Sequence, residues 1–175
     1  GAPNQGRRSR TGNTVVDTTH GTQERTLLLK HLPIEYTRDM LINKLDDEGL
    51  FGLYDFVYVP MRFHDNMNFR YGFVNVVSEE AAQFCFEKFE GYTKWGIESD
   101  DVCSVCMRTD HHGLAAHIQL YRNSPVMHES VDEKNQPALF VNGARVPFPS
   151  PTKLVKPPRR RGRAPEPDGA AEANG

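Results

Sequence analysis

Tyr71 and Phe73 are aromatic residues two positions apart in the segment 69–76. The alternation of this segment is typical of a β-strand, in which successive side chains point to opposite faces. Gly72 and Val74 therefore share a face that suits a core, and the two rings share the other face. Aromatic rings on an open sheet face can stack on unpaired nucleobases. The alternative interpretation is a strand that is buried on both faces beneath a helix.

The segments around this strand predict a domain built from alternating strands and helices. The apolar runs that predict strands lie at residues 26–32, 54–60, 70–77 and 102–107. Capping residues Thr37 and Ser78 precede two stretches with helical spacing of apolar residues. The order β-α-β-β-α-β predicts a ferredoxin-like α+β sandwich, with four antiparallel strands and both helices on one face. A third helix over 114–121 and an extended segment over 135–141 are expected to follow.

The length and charge of the chain suggest one domain between two tails. We predict a disordered leader at 1–24, a domain at 25–149 and a disordered, basic and proline-rich tail at 150–175. From residue 25 to 145 the chain carries 12 Lys and Arg against 18 Asp and Glu, a net charge of −6. Such an acidic body argues against a protein that grips duplex nucleic acid by its phosphates. Nucleic-acid binding must then depend on stacking, on local basic residues or on the tails.

The sequence predicts neither a membrane span nor a catalytic site. No apolar run approaches the roughly 18 residues that a membrane span needs, and we expect no membrane partner. Three cysteines in apolar contexts fit a reducing, intracellular location, in the nucleus and/or the cytoplasm. We find no phosphate-binding glycine loop and no catalytic constellation, and therefore predict neither enzymatic activity, nor a small-molecule substrate, nor a cofactor.

A zinc site is the remaining chemical possibility. Cys103 and Cys106, with His111, His112 and His117, have a suggestive composition. However, residues three apart in a strand face opposite sides, so one metal ion cannot easily take both thiolates. We therefore predict no metal site.

A family resemblance rests on several of these segments together. Residues 71–74 match the aromatic-Gly-Phe-Val centre of the RNP1 consensus, and the first strand resembles an RNP2 element. Further matching runs lie at residues 30–37, 54–60, 115–119, 137–140 and 147–149. In this order and spacing they resemble the C-terminal RNA recognition motif (RRM) of Mei2-like proteins, over residues 25–149. The resemblance implies a eukaryotic RNA-binding regulator, with family links to meiosis and development.

The chain departs from the general RRM pattern at three positions. Leu28 stands where RNP2 commonly has an aromatic residue, and the Mei2-like family has an aliphatic residue or Met at this position. Phe69 occupies the first RNP1 position, which is usually basic, and Arg70 replaces the glycine that usually follows. These departures leave fewer stacking residues than a general RRM has.

The candidate RNA-binding residues are aromatic or basic, together with Leu28, and lie on the strands, on the loop between the second and third strands and at the end of the third helix. They are Tyr71, Phe73, Phe56, Tyr58, Lys30, Leu28, Arg70, Phe69, Arg62, Tyr121 and Arg122. Stacking is assigned to the aromatic residues, and we expect Phe56 and Tyr58 to join the open face because Val57 and Val59 are better core residues. Contacts to phosphates or base edges are assigned to the basic residues.

The prediction is a domain that binds single-stranded RNA through its sheet and regulates RNA fate without chemistry of its own. The alternative is a protein-interaction module. In that case the C-terminal extension covers the sheet, and an acidic helical surface docks a basic partner. The residues of that surface are Asp46, Asp47, Glu48, Glu87 and Glu90. The basic run 153–163 is a nuclear-import signal, an electrostatic tether for RNA or solvated disorder.

Overall fold

A computed structural model of the protein describes residues 25–108 and 113–159. The predicted leader at 1–24 lies outside these ranges, as do His111 and His112. The elements are β1 (Thr26–Lys30), α1 (Arg38–Asp47), β2 (Tyr54–Tyr58), β3 (Tyr71–Val76), α2 (Glu79–Phe89), β4 (Ser104–Arg108), α3 (Gly113–Tyr121), β5 (Ala138–Val141) and β6 (Ala144–Val146).

The predicted ferredoxin-like α+β fold is confirmed, but its sheet is wider than the sequence indicated. The strand order is β4-β1-β3-β2-β5-β6 and every pairing is antiparallel. The first four strands have the predicted arrangement. The extended segment adds β5 to the edge of β2, where Val57 lies opposite Ala138, and a hairpin then adds β6. This C-terminal extension, which contains β5 and β6, thereby forms hydrogen bonds with the edge of β2 that four strands alone would leave exposed.

Both central helices begin at the predicted caps and cover one face of the sheet. The Thr37 hydroxyl accepts a hydrogen bond from the Met40 backbone nitrogen, and Ser78 does the same for Ala81, both at 3.1 Å. The core between the helices and the sheet consists of buried side chains from both layers. It includes Leu27, Leu29, Leu41, Leu45, Val57, Val74, Val76, Cys85 and Phe89.

Close packing on the core side of β3 explains why a glycine, Gly72, separates the two aromatic residues. Its side of the strand faces α1, and a Cβ there would lie 3.1 Å from Leu41 Cδ2 and 3.2 Å from Val59 Cγ2. The core therefore has little room for a larger residue at this position. The pattern Tyr-Gly-Phe thus reflects close packing on one face and aromatic rings on the other.

A second, smaller core lies on the opposite face of the sheet. Here α3 crosses β2, and Phe56, Tyr58 and Leu139 are buried with Val126 and Val131 of the segment that follows the helix. The side chains of α3 that pack against this cluster are Leu114, Ile118 and Tyr121. The third helix therefore covers one part of the face on which we expected RNA.

Arg38 holds the extension against the first helix, which composition alone would not suggest. Its side chain is only 2% exposed although it is charged. The guanidinium donates hydrogen bonds of 2.8 Å to the backbone carbonyls of Glu133 and Gln136 and also binds the Glu133 carboxylate. The turn before β5 is thus fixed to the start of α1.

Hydrogen bonds continue past residue 149, where the sequence suggested that the domain ends. Arg122 donates two hydrogen bonds to the Ser150 carbonyl, at 3.1 and 2.8 Å. The Asn123 side chain accepts from the Thr152 backbone nitrogen at 2.9 Å and donates to the Thr152 hydroxyl at 2.9 Å. The first residues of the predicted tail are therefore attached to the end of α3.

Candidate nucleic-acid interface

The face opposite α1 and α2 divides into two parts, which we call the open half and the covered half. The open half is the solvent-facing part formed by β4, β1 and β3. The covered half is the part of β2 and β5 that lies beneath α3.

Tyr71 and Phe73 lie on the open half, on the face that strand alternation predicted. Both are partly exposed, and their ring centroids are 5.5 Å apart at an interplanar angle of 84°. Their neighbours across the strand pair are Lys30 and Leu28 respectively. Lys30 is exposed, whereas Leu28 is only 8% exposed. Two aromatic rings and an adjacent ammonium group thus face solvent together.

The fourth strand contributes residues that the sequence analysis missed. Ser104, Cys106 and Arg108 lie opposite Lys30, Leu28 and Thr26 of β1, so they belong to the same face. The guanidinium carbon of Arg108 lies 5.9 Å from the centroid of the Phe73 ring, within cation–π range. Val105 lies on the core side of β4, so alternation along the strand indicates that Arg108 lies on the opposite face. We missed it because the predicted strand ended at Met107.

Phe56 and Tyr58 lie on the predicted face, but the expectation that they are open to solvent is wrong. Phe56 is completely buried and Tyr58 is 8% exposed. The His117 ring stacks on Phe56 at 4.5 Å with an interplanar angle of 18°. The Tyr121 ring lies 5.7 Å from Phe56 and 4.9 Å from Tyr58. Rings of α3 therefore occupy the positions above β2 where we had expected bases.

Tyr121 stands at the border between the two halves. Burial raises the pKa of its phenol to about 12, and the nearby Tyr71 adds to the shift. Burial also strongly raises the pKa of Tyr58, again with contributions from Tyr121 and Tyr71. The three phenols therefore form one cluster, in which only Tyr71 belongs to the open half.

A chain of polar side chains runs under α3 from β2 to β1. Asn75 donates to Asp55 at 2.7 Å and accepts from the Thr26 hydroxyl at 2.9 Å, and His117 Nε2 lies 2.8 Å from the same hydroxyl. Burial raises the pKa of Asp55, although its hydrogen bond with Asn75 opposes the shift. An irregularity between Tyr54 and Phe56 shifts the register of β2 at this point. Asp55 therefore lies with Asn75 and Thr26 rather than with the core residues Val57 and Val59.

The basic candidate residues differ in the partners that their side chains already bind. Arg70 forms an ion pair with Asp101, and Arg62 forms one with Asp65 at 2.8 Å. Arg122 is engaged by the Ser150 carbonyl, as described above. Since exposed ion pairs contribute little stability, Arg70 and Arg62 can exchange their partners at small cost. Phe69, beside Arg70, is 49% exposed.

The cysteines are placed as the strand argument predicted. Cys103 lies in the core, where burial raises the pKa of its thiol to about 12, with smaller contributions from Cys85 and Glu90. Cys106 lies on the other face, opposite Leu28. Within residues 25–108 and 113–159, no three His, Cys, Asp or Glu side chains are grouped as metal ligands. The helices in the same ranges are too short or too polar to cross a bilayer.

Comparison with known families agrees with this geometry. The sequence pattern of the RNA recognition motif 2 family matches residues 24–122, which include β1 to β4 and α3. The chain belongs to the RNA recognition motif 2 family. The family consists of RNA-binding proteins rather than enzymes, and curated relatives at 30–36% identity confirm the predicted Mei2-like resemblance.

The curated relatives are longer proteins with Mei2 names. Protein MEI2-like 3 of Arabidopsis thaliana is 36% identical over 125 residues, covering 71% of this chain and 16% of the relative. Meiosis protein mei2 of Schizosaccharomyces pombe is 30% identical over 132 residues, covering 72% and 17% respectively. This RNA recognition motif 2 chain therefore spans about one sixth of the length of these two relatives.

Solved structures with RRM names are more distant. The structure of the Rna15 RRM with bound RNA (GU) is 10% identical, with a TM-score of 0.45, and the match covers 56% of this chain and 97% of that one. Sex-lethal RNA recognition domains 1 and 2 from Drosophila melanogaster are 19% identical, with a TM-score of 0.40 and coverage of 49% and 50%. The assignment to the RNA recognition motif 2 family depends on the sequence match and on the strand order described above.

Proposed function

We propose that the chain binds single-stranded RNA through the open half of its sheet. The observation that carries the proposal is the partly exposed pair of Tyr71 and Phe73, bordered by the cationic side chains of Lys30 and Arg108. Each ring offers a stacking surface to an unpaired base, and the cations suit phosphates or base edges. Membership of an RNA-binding family supports this assignment.

The test is RNA affinity after removal of a single ring. Stacking of one base on an aromatic side chain is worth about 1–3 kcal/mol, which corresponds to roughly 5- to 150-fold in affinity. We expect Tyr71→Ala and Phe73→Ala each to weaken binding within this range, measured by fluorescence anisotropy with a labelled pool of short random-sequence single-stranded RNAs. Phe51→Ala is the matched control because Phe51 is 62% exposed but lies in the loop between α1 and β2. Equal affinities for all three variants and the original protein would refute the proposal.

A protein-binding role is the second candidate function. The observation in its favour is that α3 covers β2, as that role requires of the sheet. The acidic helical surface gives it less support, because most of its carboxylates are already engaged. Asp46 accepts from the Tyr54 hydroxyl at 2.6 Å, Glu48 from the Tyr92 hydroxyl at 2.8 Å and Glu90 from the Val105 backbone nitrogen at 2.6 Å. A partner that docks on these residues must compete with bonds that stabilise the fold.

The wider role is part of the same proposal. We expect the protein to regulate the fate of its RNA inside the cell, in the nucleus and/or the cytoplasm, as the family resemblance implies. Crosslinking of the tagged protein to cellular RNA, with Tyr71→Ala as the control, tests the RNA association. Imaging of the same tagged protein tests the location.

A further inference from the structure

We propose that residues 153–159 form a second RNA-contacting surface, which holds the phosphates of a strand whose bases stack on the open half. The inference rests on the proposed function and extends it to a surface outside the sheet. It starts from the hydrogen bonds that attach residues 150–153 to the end of α3.

The attachment places the segment beside the aromatic cluster. Arg122 and Asn123, which bind Ser150 and Thr152, directly follow Tyr121. The Lys153 backbone nitrogen also donates to the Asn123 side chain at 3.3 Å. Tyr121 in turn packs against Tyr58, whose partner across the strand pair is Phe73 of the open half. The chain therefore leaves the folded body at the border of the open half.

The charge of the segment is opposite to that of the body it leaves. Lys153, Lys156 and Arg159 are all exposed, and no acidic residue occurs between residues 153 and 163. The body from residue 25 to 145 has a net charge of −6. A polyanion approaching the open half meets a body of net negative charge, and this segment adds positive charge to that of Lys30 and Arg108.

The segment also has the shape to follow a strand. Pro157 and Pro158 favour an extended backbone, which advances by about 3.1 Å per residue in the polyproline II conformation. Residues 153–159 thus reach roughly 20 Å, with their cationic side chains spread along that length. Spread charges suit successive phosphates of an extended chain better than a single compact anion.

The experiment measures how RNA affinity depends on salt. For single strands, log K falls against log salt with a slope of about −0.7 for each phosphate that the protein neutralises. The triple variant Lys153→Gln, Lys156→Gln and Arg159→Gln should therefore reduce the magnitude of this slope by about 2. The control is Lys88→Gln, Lys94→Gln and Lys134→Gln, which removes the same charge from exposed positions on other surfaces. We expect the control to retain the original slope.

A further variant tests the attachment itself. Asn123→Ala removes the hydrogen bonds that position Thr152 and Lys153, at the start of the segment, while the Arg122 bonds to Ser150 and every charge of the segment remain. If the attached position of the segment contributes to RNA binding, the RNA affinity of this variant falls several-fold at constant salt, although the charges of the segment are unchanged. An affinity equal to that of the original protein overturns the attached placement.

The outcomes separate this inference from the function on which it rests. If Tyr71→Ala weakens binding but the two triple variants have equal slopes, the second surface is refuted and sheet binding stands. If neither Tyr71→Ala nor Phe73→Ala weakens binding, or if the original protein binds no RNA, the proposed function itself fails.

Discussion

At the scale of single residues, Arg38 shows how a buried charge can support a fold. Its guanidinium satisfies two backbone carbonyls and a carboxylate in the turn that precedes β5. Hydrogen bonds of charged groups contribute about 1.5–3 kcal/mol each, and their loss leaves buried acceptors without a donor. We expect Arg38→Ala to lower the free energy of unfolding by about 2–4 kcal/mol, measured by urea denaturation.

Arg145 provides the comparison for Arg38. It contacts the same Glu133 carboxylate, but its side chain is 39% exposed. Exposed ion pairs contribute about 0–1 kcal/mol, so Arg145→Ala should have a small effect. Equal losses for the two variants would show that the backbone hydrogen bonds of Arg38 are unimportant.

The buried phenols predict how stability depends on alkaline pH. The pKa of Tyr121 is about 12 in the folded protein, mainly through burial, whereas an unfolded tyrosine ionises near 10. A raised pKa favours the neutral phenol in the fold, so its contribution is complete below about pH 10 and is lost as the pH rises towards 12. Urea denaturation at several pH values should show this decline.

The decline can be assigned with one substitution. Tyr121→Phe removes the ionisable group and keeps the ring against Phe56 and Tyr58. The variant should lose less unfolding free energy than the original protein as the pH rises from about 10 to 12. Identical pH profiles would contradict the assignment.

At the scale of elements, α3 is the cover of one half of the sheet face. Ile118 packs into the cluster beneath the helix, while the next residue, Gln119, is exposed. A charge at position 118 has to leave the apolar cluster, so Ile118→Asp should release α3 while the central sheet stays folded. Hydrogen exchange should then be faster in α3 but unchanged in β1 and β3.

The neighbouring position supplies the matched control. Gln119→Asp introduces the same charge on the solvent side of the same helix and should leave exchange in α3 nearly unchanged. Loss of protection in β1 and β3 in the Ile118→Asp variant would mean that α3 is part of the central core rather than a separate cover.

At the scale of the whole molecule, the extension and the four-stranded domain should unfold together. Pairing of β5 with β2 and the contacts of Arg38 join them on two sides. Trp95, the single tryptophan, is 2% exposed and reports on the central core. Its fluorescence and the amide signals of Leu139 and Phe140 should disappear at the same urea concentration. An earlier loss of the β5 signals would show that the extension unfolds by itself.

Much of this arrangement was predictable because it depends on local pattern. Alternation placed Tyr71 and Phe73 on one face, and the caps at Thr37 and Ser78 marked both helices. The burial of Phe56 depends on α3 crossing a strand that lies far away in the sequence, which no local periodicity records. The same holds for β5, which joins β2 only in three dimensions. The burial of Arg38 was also missed, because a lone arginine in sequence is usually exposed.

Because His117 stacks on Phe56, a side chain of the protein occupies a ring face on which a base could otherwise stack. The fold of α3 holds the His117 ring on Phe56 at 4.5 Å, so a base must displace the helix to stack there. Under the proposed function, bases reach β2 only if α3 moves, and Tyr71 and Phe73 are the stacking rings that the open half offers. We therefore expect a short footprint of RNA on the sheet. A longer bound strand then requires contacts outside the sheet, such as those proposed for residues 153–159.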